Sequence, residues 1–261
     1  MNGAALAFIL SAAAGLATGL GGLAALFAKK TNLQFLSASL GFSAGVMIYV
    51  SFSELCPAAA EIFSADGRAG EWETSAAFFG GMLAAAFIGR LFPSGNPLEA
   101  GSSKSPEEKD SRGLMRTGLV SALAICVHNL PEGMATFVSA IRDPSASLPI
   151  VFAVAIHNIP EGIAVAAPIY YATGSRKKAF AYALASGVAE PVGALAAYFM
   201  LAPLLNGTAL GALYSAVAGI MIYISFDELI PSALEHGDRR VSVCGIVAGM
   251  LVMAASLAML A

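Results

Sequence analysis

Charge is what this chain most lacks: Asp, Glu, Lys and Arg make up 12% of its 261 residues, about half their share in an average soluble domain. With 57% hydrophobic residues and a mean hydropathy of +0.75, it has too little polar surface for a water-soluble fold and reads as an all-α integral membrane protein. The net charge of -3 means little here, since the distribution of the charges carries the information, and no nucleic-acid surface is indicated. Cysteine is nearly missing too. Cys56, Cys126 and Cys244 lie in or beside apolar runs without Cys-x-x-Cys spacing, which argues against a disulfide framework or a thiolate metal site and leaves them as packing residues.

What is present is a series of apolar runs. Eight are long enough to cross a hydrocarbon core of about 30 Å: Gly3 to Ala28, Leu33 to Pro57, Thr74 to Phe92, Leu114 to Ile141, Leu148 to Tyr171, Ala179 to Leu201, Thr208 to Pro231 and Val241 to Ala261. The first run is too long for a signal-peptide core and is followed, not preceded, by Lys29-Lys30, so it is expected to be retained as a helix. Ser94 to Gly113 is rich in Ser, Gly, Pro and charge and reads as a flexible linker. It divides residues 1–93, with spans one to three, from residues 114–261, with spans four to eight.

Sidedness follows from the cations. Of fourteen Lys and Arg, all but Arg68 and Arg142 fall in or beside the loops after spans one, three, five and seven. The positive-inside rule therefore predicts that these loops and the linker are cytoplasmic and that both termini lie outside.

One segment is written twice. The stretch 44–57, from Ala44-Gly45 to Glu54-Leu55-Cys56-Pro57, recurs at one constant offset as the stretch 218–231, from Ala218-Gly219 to Glu228-Leu229-Ile230-Pro231. The copies lie in spans two and seven, five spans apart, so they cross in opposite directions. This predicts a three-helix inverted repeat, spans one to three and six to eight, around a central hairpin of spans four and five. Glu54 and Glu228 would then stand one at each mouth of a pathway, unless they snorkel to the interface. Gly15, Gly19 and Gly22 in span one read as close helix packing.

A second doubled motif carries the chemistry: His128-Asn129-Leu130-Pro131-Glu132-Gly133 and His157-Asn158-Ile159-Pro160-Glu161-Gly162. On a helix, His at i and Glu at i+4 lie about 40° apart and Asn at i+1 lies about 60° from the Glu, so each copy presents three polar heads on one arc. The proline has no N–H and frees a carbonyl, of Val127 or Ile156, which suits a cation. Each motif is roughly eleven residues, or about 17 Å, from the turn at Arg142-Asp143-Pro144, which is mid-membrane. Glu190, beside Pro191 in span six, reaches the same depth from Lys178. Three carboxylates there call for cations.

Imidazole with carboxylate and amide oxygen suits zinc, iron(II), manganese and cobalt rather than copper(I). Cys126 points about 160° away from His128 on its helix and adds no sulfur. The donors exceed what one tetrahedral zinc takes, so a two-metal site bridged by Glu132 and Glu161 is one arrangement. The alternative, interhelical hydrogen bonding alone, does not require matched His, Glu and Pro in register. An intramembrane metalloprotease would need His-Glu-x-x-His or an equivalent. Here Asn stands in place of that Glu and no His follows four residues on, so an enzyme is not expected.

The doubled motif, the span-six Glu, eight spans with both termini outside and the variable loop after span three together resemble the ZIP (Zrt/Irt-like) family of metal transporters, most closely its bacterial branch. The resemblance covers the whole chain. It implies inward transport of divalent cations, zinc and iron and also manganese, cobalt and cadmium, by alternating access, with a metal-selective channel as the alternative. It implies that Asn129, Glu132, His157, Asn158, Glu161 and Glu190 bind metal as two adjoining sites. His128 matches the motif, although in some members only the second His coordinates. No resident cofactor is implied, and a homodimer is left open. Many members carry a His-rich loop after span three, whereas Ser94 to Gly113 contains no His, so metal capture by that loop is not expected.

Overall fold

A computed structural model describes residues 3–25, 27, 32–90, 106–142, 144–201 and 207–260. Every regular element among them is helical: α1 (Gly3–Ala25), α2 (Leu33–Val50), α3 (Cys56–Ala65), α4 (Glu71–Arg90), α5 (Pro106–Arg142), α6 (Pro144–Thr173), α7 (Arg176–Ala196), α8 (Gly207–Ile224), α9 (Ile230–His236) and α10 (Arg239–Leu260). Among the described residues six segments are apolar and long enough to cross a membrane: Gly3–Leu23, Leu33–Ala65, Ser111–Ile141, Arg176–Phe199, Gly207–His236 and Arg239–Met259. This is an all-α membrane protein. Residues 91–105 lie outside the described residues, and with them most of the expected linker. Its last part, from Pro106, is already helical in α5, as Pro106-Glu107-Glu108 signals: proline suits the first helical position and acids suit the first turn.

Two expected span ends are displaced for one physical reason. Pro57 and Pro231 read in the sequence as the limits of spans two and seven, yet each helix runs on past its proline, to Ala65 and to His236. Ahead of each proline the helix widens into one π-helical turn, Ser51–Leu55 and Ser225–Leu229. The widened turn re-registers the backbone so that each proline falls in the first turn of α3 or α9, where its missing N–H costs nothing. Ser51 Oγ donates to Met47 O at 2.7 Å and Ser225 Oγ to Met221 O at 2.8 Å.

Helices α1, α5, α6 and α7 pack on one another as a central group. Two pairs, α2 with α10 and α4 with α8, flank it. Lipid tails offer no hydrophobic drive between helices, so small residues set the contacts. Gly15 meets Gly187, Gly19 meets Leu184 and Gly22 meets Ala183 across α1 and α7, as the packing reading of span one expected. The closest backbone approaches also come in matched pairs. Gly162 lies against Thr18 O and Gly133 against Glu190 O, while Gly21 lies against Ile159 O and Gly193 against Leu130 O. Thr18 and Glu190 are separated along the chain by the same interval as Gly21 and Gly193. In the flanking pairs Gly45 lies against Ile246 O, and Gly219, its counterpart in the second copy of the doubled segment, against Phe78 O.

The largest core cluster includes Leu36, Leu40 and Met47 of α2, Ile125 of α5, Ile169 of α6 and Met221 and Ile224 of α8. Leu20, Phe79, Leu83, Phe87, Leu251 and Met259 face outward, as expected where the surroundings are lipid. The chain turns from α6 to α7 at Gly174, whose φ of 67° favours a residue without a Cβ. Ser175 then caps α7 by accepting from Lys178 N.

Candidate metal centre

Helices α5 and α6 bring the two motifs together as antiparallel neighbours, and α7 adds Glu190 beside them. All seven expected residues are buried: His128, Asn129, Asn158, Glu161 and Glu190 are 0% exposed, His157 2% and Glu132 8%. At the centre of a bilayer each charged side chain costs about 2.5–3.5 kcal/mol on an insertion scale. Part of that cost is recovered crosswise. His128 Nε2 lies 2.9 Å from Glu161 Oε1, and His157 Nε2 lies 2.8 Å from Glu132 Oε1. Helical spacing places the His and Glu of one motif on one arc. Their hydrogen bonds run between the helices instead.

The asparagines hold the motifs to the outer members of the group. Asn129 Nδ2 donates to Ser186 O of α7 at 3.2 Å, and Asn158 Nδ2 donates to Ala14 O of α1 at 2.9 Å and to Glu190 Oε2 at 2.8 Å. Ala14 and Ser186 are again separated by the interval that relates Thr18 to Glu190. Pro160 O accepts from Ser43 Oγ of α2 at 2.6 Å, a carbonyl contact that the motif alone did not indicate.

The bonding is left incomplete at every one of these residues. Nδ1 of His128 and His157, Oδ1 of Asn129 and Asn158, Oε2 of Glu132 and Glu161 and Oε1 of Glu190 are buried without a hydrogen-bond partner. Folded proteins leave only a few such groups per hundred residues, and each costs about 1–3 kcal/mol. Concentrated on one set of imidazole, amide and carboxylate side chains, these unpaired donors and acceptors are what a cation site leaves when its ion is not counted. Among the described residues no three His, Cys, Asp or Glu are arranged to hold an ion as they stand. Each imidazole is engaged with the opposite carboxylate, so an ion would enter by replacing those two hydrogen bonds.

A cavity of about 110 Å³ reaches this cluster and is lined by Glu54, Pro131, Glu132, Thr136, His157 and Tyr214 among others. It has room for several waters. Glu54 is exposed there. Its repeat counterpart Glu228 is not: it is 4% exposed, and Arg116 Nη1 of α5 lies 3.2 Å from its Oε1. The cavity beside Glu228, which also touches Val127, Tyr223 and Asp227, measures about 20 Å³. The third histidine, His236, is apart from all this in α9, with Nδ1 2.9 Å from Ser232 O of its own turn.

Residues 94–257 match the sequence family described as ZIP Zinc transporter. The chain belongs to the ZIP family. It is 54% identical to the zinc transporter ZupT of Streptococcus mutans over 254 residues, 96% of each chain. It is also 50% identical to ZupT of Clostridium perfringens over 275 residues, 98% of this chain and 96% of that one. Against ZupT of Oceanobacillus iheyensis the identity is 51% over 268 residues, all of both chains. These ZIP relatives are named as transporters rather than enzymes.

Of the groups around the cluster, the sequence reading does not single out the buried Thr18, and it takes Arg116 only as one of the cations that set sidedness. Thr18 could have been found from Gly15, Thr18 and Gly21, whose spacing matches Gly187, Glu190 and Gly193.

Proposed function

We propose that this protein carries zinc, and with it iron(II), manganese, cobalt and cadmium, across the plasma membrane into the cytoplasm by alternating access. Asn129, Glu132, His157, Asn158, Glu161 and Glu190, with His128, form the cargo site as two adjoining metal positions. The observation that carries this reading is the set of unpaired polar atoms, one on each of those seven buried residues. Family membership and the zinc transporters among its relatives support it.

The eight spans expected from the sequence cross the bilayer with both termini outside and the segment 94–113 cytoplasmic, separating spans one to three from spans four to eight. Spans one to three and six to eight form an inverted repeat. The glycine contacts, in which Thr18 and Gly21 correspond to Glu190 and Gly193 at one interval and Gly45 to Gly219 at a similar one, and the matching π turns Ser51–Leu55 and Ser225–Leu229 support that arrangement. The larger cavity on the Glu54 side and the ion pair on the Glu228 side support a carrier rather than a channel. A homodimer is compatible with the apolar outer faces.

Uptake of radioactive zinc into proteoliposomes tests the reading. Saturable uptake that Glu132→Gln removes is expected. Uptake no faster than in protein-free vesicles, or unchanged in a folded Glu132→Gln, would overturn it.

A further inference from the structure

Thr18 is fully buried and its hydroxyl has no hydrogen-bond partner. A helical threonine commonly donates to the carbonyl four residues back, which here is Ala14 O, already an acceptor from Asn158. The hydroxyl lies toward α7 instead. A Cβ built on Gly187 would be 2.9 Å from Thr18 Cβ and 3.1 Å from its Oγ1, and Gly187 follows Ser186, whose carbonyl holds Asn129. Across the twofold axis that the proposed inverted repeat implies, the same surroundings hold a carboxylate. A Cβ built on Gly15 would be 3.0 Å from Glu190 Cβ, and Gly15 follows Ala14, whose carbonyl holds Asn158.

Thr18 is therefore the counterpart of Glu190 in chain register, as Gly15 is of Gly187, although Glu190 Oε2 is bonded to Asn158 while the Thr18 hydroxyl and Asn129 Oδ1 are both unpaired. Resting on the function proposed above, we infer that Thr18 is an eighth cargo-site residue, giving an uncharged oxygen to a divalent cation next to Asn129 Oδ1. The two halves then differ in charge by one. The half with Asn158 and Glu190 holds the ion more tightly, and the half with Asn129 and Thr18 holds it weakly enough to release it. Thr18 thereby sets the difference in affinity between two adjoining positions.

The experiment is equilibrium binding of zinc alone to the full-length protein in detergent, with melting profiles confirming the fold of each variant. Thr18→Val keeps the shape and removes the oxygen. It is expected to weaken the lower-affinity zinc position roughly tenfold, the lower end of what losing a group around a metal costs. Glu190→Thr is expected to lose the tighter position, and the double variant Glu190→Thr with Thr18→Glu, which returns the carboxylate on the other side of the axis, is expected to regain a tight position. Unchanged zinc binding in Thr18→Val, or a double variant that binds no better than Glu190→Thr alone, would overturn the inference. Wild-type protein whose zinc binding is indifferent to Glu132→Gln would instead overturn the function on which the inference rests.

Discussion

His128 Nε2 is bonded to Glu161 Oε1 at 2.9 Å, although Glu132 stands one turn away on its own helix. The reciprocal bond joins His157 to Glu132. Each half of the cluster is thus completed by the other.

Transport is expected to depend far more steeply on Glu132 and Glu161 than on Glu54. A dication cannot leave water at mid-depth without carboxylates to replace it, so Glu161→Gln, nearly unchanged in shape, should abolish uptake at any zinc concentration. Glu54 is exposed and attracts an ion in high dielectric, worth about 1 kcal/mol. Glu54→Gln should therefore raise the half-saturating zinc concentration about fivefold and leave maximal uptake alone. Uptake kinetics in proteoliposomes decide this.

Asn129→Ala and Asn158→Ala are expected to reduce iron(II) uptake more than zinc uptake. Amide oxygen suits the harder ion, while imidazole favours zinc. Parallel uptake measurements with both metals check it, and equal losses would remove the case for two positions of different preference.

The Arg116 and Glu228 pair should be energetically lopsided. Arg116 is 32% exposed and Glu228 4%, so an orphaned arginine can hydrate whereas an orphaned glutamate cannot. Arg116→Gln is expected to destabilise the protein by about 2 kcal/mol and Glu228→Gln by less than about 1 kcal/mol. Denaturation of the two variants in one detergent gives the comparison. Equal losses would show that the acid is solvated.

Gly133 meets Glu190 O and Gly162 meets Thr18 O so closely that a methyl group overlaps backbone on the facing helix. Backbone cannot swing aside as a side chain can. Gly133→Ala and Gly162→Ala should each cost at least about 2 kcal/mol of stability, while Gly80→Ala, with nothing within 4 Å, should be nearly neutral. Melting temperatures separate these outcomes.

Much of this was readable in the residues. Periodicity on one helix places His128, Asn129 and Glu132 on one arc, and rise per residue puts both motifs and Glu190 at one depth, because both quantities are local. The crosswise hydrogen bonds were not readable, since a single helix fixes which way a side chain faces but not which partner it meets. Pro57 and Pro231 read as helix ends. A proline is visible in sequence, while the π turn that lets the chain pass it depends on backbone geometry that Ser51 and Ser225 only hint at. Glu228 left two readings open, and its partner Arg116 lies far earlier in the chain, at the start of span four. Only the packing of α5 against the turn after α8 brings them together.

The twin π turns also bear on history. A π turn within an α-helix accommodates one residue more than the regular repeat requires, which is the trace an insertion leaves. Ser51–Leu55 and Ser225–Leu229 hold that extra residue at the same register. If the two halves descend from one ancestral three-helix unit, the insertion entered that unit before it was doubled. A surviving single-unit relative should then carry the same widened turn ahead of its proline. One with an unbroken α-helix there would mean that the two insertions arose separately.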